Sequence, residues 1–156
     1  MTSSLNLSTD LRAACEYLED MGVCLSEDFR AAAVSDGIAI VKPIGKSLGE
    51  AAFCEDMSLL EPEEKRLLSS GNGAVISSDI PDLCADSAKT AQAITLFTGL
   101  DKSVFSLSDS RLYVCAGSLT NAAEVFSRVM SKLDKVRRYV ALSRKSADIL
   151  SSFFQR

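Results

Sequence analysis

A chain of 156 residues fits one domain, residues 1–156, and a domain of that length buries roughly two-thirds of its unfolded surface without needing a metal or a disulfide staple. With 47% apolar and 24% charged residues, eight Gly and three Pro, the composition excludes long disordered tracts, and no run of eighteen apolar residues offers a membrane-spanning helix. A formal charge of −4 weakens long-range attraction to nucleic acid.

The opening MTSSLNLSTDLRAA has no basic start and no apolar core, so no secretory signal is expected and the chain reads as cytoplasmic. Cys15, Cys24, Cys54, Cys84 and Cys115 are odd in number and widely spaced, without a C-x-x-C pair, and read as reduced, small buried hydrophobes. In that compartment the sequon at Asn6 has no use. The segments CADSAKTA and CAGSLTNA share a pattern that CLSEDFRA and CEDMSLLE do not continue, so no repeat array is expected.

In chain order, a first helix is expected over residues 10–21, with Leu11, Ala14, Cys15, Leu18 and Met21 as its apolar stripe, an acidic opposite face and Gly22 as its stop. A short helix over 26–33 comes next, and Ser35-Asp36-Gly37 turns the chain into a strand over 38–42 that Pro43 ends. The stretch GIAIVKPIGKSLGEA resembles a phosphate loop at first sight. A P-loop needs Gly five places before the Gly of Gly-Lys-Ser, and here that place holds Ile40; Pro43 also removes a backbone donor. Ser47 and Glu50 instead form an S-x-x-E capping box for a helix running to about residue 60.

Pro62 opens another short helix, and 73–77 is a strand candidate. A small-residue helix is expected over 85–97, stopped by Gly99. The runs SVFSLS and RLYVCAG read as strands flanking Asp109-Ser110, and Ser118 caps the C-terminal helix.

From residue 118 to 154 there is neither Gly nor Pro after the cap. Leu119, Ala122, Phe126, Val129, Leu133, Val136, Val140, Ser143, Ala147, Leu150 and Phe154 form a heptad ladder with a hydroxyl interruption near 143–144, where the helix could break. A continuous helix of that length spans about 54 Å, whereas a domain of this size has a radius of gyration near 15 Å. The reading is a predominantly helical α+β fold with a small sheet and a long C-terminal amphipathic helix. Leu119, Phe126, Val129, Leu133, Val136, Val140, Leu150 and Phe154 are its expected oligomer or partner interface.

Charge is uneven. Residues 124–156 hold eight bases and three acids, while residues 1–123 hold nine bases and eighteen acids. Arg128, Lys132, Lys135, Arg137, Arg138, Arg144 and Lys145 could meet phosphates or an acidic protein surface. The absence of histidine removes Ser-His-Asp and Cys-His catalysis and the usual zinc set. No Ser lies three places before a Lys, and adjacent Glu63 and Glu64 point apart on a helix. Asp79, Asp82 and Asp86 could hold a magnesium ion, but helix capping accounts for them more simply. No catalytic residue, metal or cofactor is expected. The working function is a non-catalytic structural or adaptor protein that self-assembles or docks a partner through its C-terminal helix. The alternatives are nucleic-acid binding or packaging through the same basic helix, and a small histidine-free enzyme.

Overall fold

Asp36 and Gly37, at φ 51° and 79°, both occupy the left-handed region that a two-residue hairpin turn demands. They join β1 (Arg30–Ser35) to β2 (Ile38–Lys42), with Ser35 opposite Ile38 and Ala31 opposite Lys42. The computed structural model describes residues 2–23, 28–45, 51–54, 58–68, 73–108 and 110–154, the side chains of 2–5, 52, 54 and 146–154 excepted. Around the hairpin the chain adds α1 (Thr2–Asp20), β3 (Ala52–Cys54), α2 (Pro62–Leu67), β4 (Gly73–Asp79), α3 (Pro81–Cys84), α4 (Ser87–Thr98), β5 (Phe105–Ser108), β6 (Arg111–Ala116), α5 (Leu119–Met130) and α6 (Leu133–Phe154). The strands form one antiparallel sheet in the order β3-β2-β1-β4-β6-β5.

Period-two alternation sorts each strand onto two faces. Ala31, Ala33, Ile40, Ala74, Ile76, Leu112, Val114 and Phe105 face the main core with α1, α4, α5 and the start of α6. Ala32, Val34, Ala39, Val41, Val75 and Tyr113 face a second, smaller core closed by Leu60 and Leu68 beside α2. The fold is therefore α+β.

Several expectations need correction. The segment expected as a helix over 26–33 contributes β1 instead: Ala is a strong helix former, but Ala31 to Ala33 are buried on both faces and pair with β2 and β4. Residues 24–27 lie outside the described ones. The expected helix after Ser47 gives way to β3, whose Phe53 stands opposite Ile40; Ser47 and Glu50 lie outside the described residues. The helix expected over 85–97 is α4, starting two residues later after Asp86 and preceded by the separate short α3, and Gly99 closes it at φ 74° as expected. The first helix begins earlier than expected and ends at Asp20, its C-terminus closed through Gly22, where Val23 N–H donates to Leu18 C=O and Gly22 N–H to Glu19 C=O, both at 3.0 Å.

The largest correction concerns residues 118–154, which do not form one long helix. The break falls at Ser131 and Lys132, not at 143–144, and α6 runs through the latter position. Ser131 Oγ donates to Arg128 C=O at 2.9 Å, and Lys132 N–H bonds Val129 C=O three residues back rather than four. That tightened turn lets α5 lie against the sheet and α1 while α6 packs on α4.

Candidate docking surfaces

The C-terminal ladder is filled from within. Leu119, Phe126, Val129, Leu133, Val136 and Val140 are all buried in the main core of the same chain, so this part of the expected interface is not an open seam. Phe126 meets Phe29 with ring centroids 6.3 Å apart. The side chains of Leu150 and Phe154 lie outside the described residues.

The outer side of α6 is different in character. At about 100° per residue, Lys135, Arg138, Leu142 and Lys145 fall within an arc of about 80°, opposite Leu133, Val136 and Val140. All four are exposed, and Leu142 is 63% exposed. A leucine thus stands in water between three cations. Leu96 of α4, the helix on which α6 packs, is 62% exposed as well.

The remaining basic residues divide. Arg137 Nε lies 2.9 Å from an Asp82 carboxylate oxygen, and Arg144 Nε lies 3.7 Å from Asp86. The hydrogen bond from Arg137 holds the Asp82 carboxyl below its ordinary range. Asp79 pairs with Arg111 at 2.9 Å. Each of the three acids weighed as a magnesium site therefore has a cation of its own chain. Arg128 is exposed on α5 and Lys132 half-buried in the turn, on neighbouring ground but on different elements.

A buried charge network holds α2 to the second sheet face. Glu64 is fully buried and takes Arg30 in a bidentate pair, with Nε to Oε2 at 2.8 Å and Nη2 to Oε1 at 3.0 Å. Arg30 Nη2 also donates to Leu59 C=O at 2.8 Å, and Glu61 bridges Arg30 and Arg111. Glu61 N–H donates back to Glu64 Oε1 at 2.8 Å, one arm of a capping box. Burial, and then the nearby Glu61 charge, push the Tyr113 hydroxyl up. Every charge here compensates another, which suits a clamp more than a reaction centre. The Ser77 hydroxyl beside it, between Arg30 and Tyr113 in the sheet register, is buried with no hydrogen-bond partner among the described residues.

The three described thiols, Cys15, Cys84 and Cys115, are held in the protonated form by burial. Burial raises Cys15 to about 11 against a weaker opposing pull from Lys42, and burial also raises Cys84 and Cys115. Lys42 is itself fully buried, donating to Phe29 C=O with its ammonium 4.5 Å from the Phe29 ring centre.

Two clefts bound by described residues have volumes of about 240 and 230 Å³, below the roughly 300–1,000 Å³ of small-ligand sites. In the first, the Asp10 carboxylate accepts from Leu119 N at 2.6 Å and Thr120 N at 3.1 Å, so it caps α5. The second is a groove between α4 and β5, the strand at one end of the sheet. Among the described residues no helix is long and apolar enough to cross a membrane, and no group of three metal-ligating side chains converges.

No family model, curated protein or solved structure matches the chain.

Sequence reasoning missed Leu142 because it followed the ladder, and Leu142 lies off it. An apolar residue out of register among Lys135, Arg138 and Lys145 was the available signal. The outer edge of β5, which no strand covers among the described residues, left no signal, since strand order is not written locally.

Proposed function

We propose that this is a non-catalytic docking protein whose partner-binding face is the outer side of α6, contacting an acidic protein surface through Lys135, Arg138, Leu142 and Lys145. The observation that carries the reading is Leu142, 63% exposed at the centre of a basic face. Cations alone suit phosphates as well as carboxylates, but a central apolar contact ringed by charge is the anatomy of a protein interface. Pairing of two α6 helices about a two-fold axis would oppose like charges, which favours a different, acidic partner over a symmetric dimer. The length of α6 agrees: 22 residues span about 33 Å, against about 18 Å for the 12 residues of α4 on which it packs. That Cys15, Cys84 and Cys115 are free thiols suits work in the cytoplasm.

Light scattering and pull-down with the full chain test the proposal. Leu142→Asp and the reversal Arg138→Glu/Lys145→Glu should each release the bound partner while leaving helix content unchanged. Retention by both variants overturns the proposal. Nucleic-acid binding through the same cations makes a different prediction, a steep loss of affinity with salt that spares Leu142→Asp. Dimerisation that Leu142→Asp abolishes would return the face to self-assembly.

A further inference from the structure

We propose that the outer edge of β5, which no strand covers among the described residues, is a strand-addition site, taking a short extended segment of a partner protein into the groove between β5 and α4. This stands apart from the α6 face: it concerns a different surface and survives or fails on its own test.

Hydrogen-bond parity decides which backbone groups of β5 face outward. Cys115 N–H donates to Val104 C=O at 2.9 Å, and these residues oppose each other if the β5 to β6 register is continued by one place. In an antiparallel ladder, hydrogen-bonded and non-bonded pairs alternate. Ser106 with Tyr113 is therefore a bonded pair, whereas Phe105 with Val114 and Leu107 with Leu112 are not. The N–H and C=O groups of Phe105 and Leu107 consequently point away from β6, toward the outer edge. A bond on the other side of β6 agrees with this parity: Ile80 N–H donates to Ser110 C=O at 2.9 Å, which assigns Leu112 and Val114 to bonding with β4. Among the described residues no strand covers that edge.

The side chains agree with the backbone. Phe105 and Leu107 face the main core, so residues of an added strand that bond to them point to the same side. There they enter the groove of about 230 Å³ lined by Ala88, Ala91, Lys102, Phe105 and Leu107. Alanines on α4 leave room for a medium aliphatic side chain at each second position, and Lys102 sits at the rim. Strand β5 reads FSLS, without the proline or inward charge by which exposed edges are commonly blunted.

The size of the surface decides its occupant. Seven residues line the groove and edge, against the 20–30 a side of a stable protein interface. A second folded copy needs more surface than this, whereas a linear segment needs four main-chain hydrogen bonds and one or two side-chain contacts.

The test pans a random dodecapeptide display library against the full-length chain and uses the most enriched peptide, made synthetically with a fluorophore, as the probe. The proposal expects apolar residues at alternate peptide positions, at least tenfold slower exchange of the Phe105 and Leu107 amides on binding, and at least tenfold weaker binding to Ala88→Trp. Ala88 is exposed, so tryptophan there fills the groove without entering the core. Leu107→Pro, which removes one outward donor, should act alike, while Phe53→Ser at the opposite edge should bind normally. The proposal is overturned by absence of enrichment, by protection of other amides, or by full binding to both groove variants. It is equally overturned if light scattering shows a dimer that Ala88→Trp dissociates, because the edge then belongs to a second copy. Leu142→Asp should leave peptide binding intact, which separates this test from that of the α6 face.

Discussion

Replacing Phe126 by alanine distinguishes a ladder that closes the chain's own core from one that waits for a second subunit. Phe126 is fully buried on α5 and tilted at 47° to Phe29 across the space between α5 and the residue preceding β1. Truncating a buried Phe costs about 3–5 kcal/mol in lost transfer energy and residual cavity, and the aromatic pair contributes about 0.5–1.5 kcal/mol to such losses. Against a total of about 5–15 kcal/mol this is a large fraction. For a chain of this length the melting temperature should fall by about 6–20 °C. At a slope near 2 kcal/mol/M the urea midpoint should fall by about 1.5–2.5 M. Circular dichroism at 222 nm follows both transitions, with the slope unchanged. The decisive control is protein concentration. If Phe126 is sealed within one chain, the loss is the same at micromolar and at tenfold higher concentration. An unchanged midpoint, or a loss that tracks concentration, would refute the assignment of this residue to the monomer core.

Three further outcomes concern the charged and titrating groups. Glu64→Gln should cost about 3 kcal/mol, because it leaves the Arg30 charge poorly compensated in a dry site, whereas Arg30→Met/Glu64→Met should recover much of that loss; strictly additive single and double variants in urea denaturation would contradict the coupling. Asp82 titrates below its ordinary 3.8 in the folded state, so its pair with Arg137 stabilises above that value and the contribution disappears as pH falls through the lower folded value. The difference between wild type and Arg137→Gln, below about 1 kcal/mol for so exposed a pair, should therefore be constant from pH 5 to 7 and vanish toward pH 2; a difference that grows in acid would reverse the sign. With Cys15 raised to about 11, roughly 0.1% of that thiol is ionised at pH 8, so maleimide labelling of the folded protein followed by mass spectrometry should leave it unmodified until urea is added. Labelling of Cys15 in native buffer would contradict its burial.

Local signals in the sequence carried those elements whose decisive interaction lies within a few residues. Asp36-Gly37 sets a turn because both positions need positive φ. Pro62 with Glu61 and Glu64 starts α2, Gly99 stops α4, and Ser118 caps α5 by accepting from Asn121 N–H. The strand over 38–42 was legible for the same reason, bounded by Gly37 and Pro43. So was the division of charge between the acidic body and the basic C-terminal residues. Neighbouring residues alone therefore dictate where the chain turns and where many of its elements start or stop, and the α+β class is implicit in that punctuation.

Everything else came from packing between distant elements. The segment RAAAVS is a strand because β2 and β4 lie on either side of it, with partners far along the chain such as Ile76 for Ala31 and Ser77 for Arg30. AFC is a strand only because β2 offers it an edge. An apolar ladder reads the same whether a neighbouring helix or a second molecule covers it, and only packing on the sheet, α1 and α4 showed that its proximal half is spent within the chain. Arg30 with Glu64, and the bared backbone of β5, arise from one further cause: burial and pairing are set by which elements become neighbours in space, and that information is shared among residues far apart in the chain.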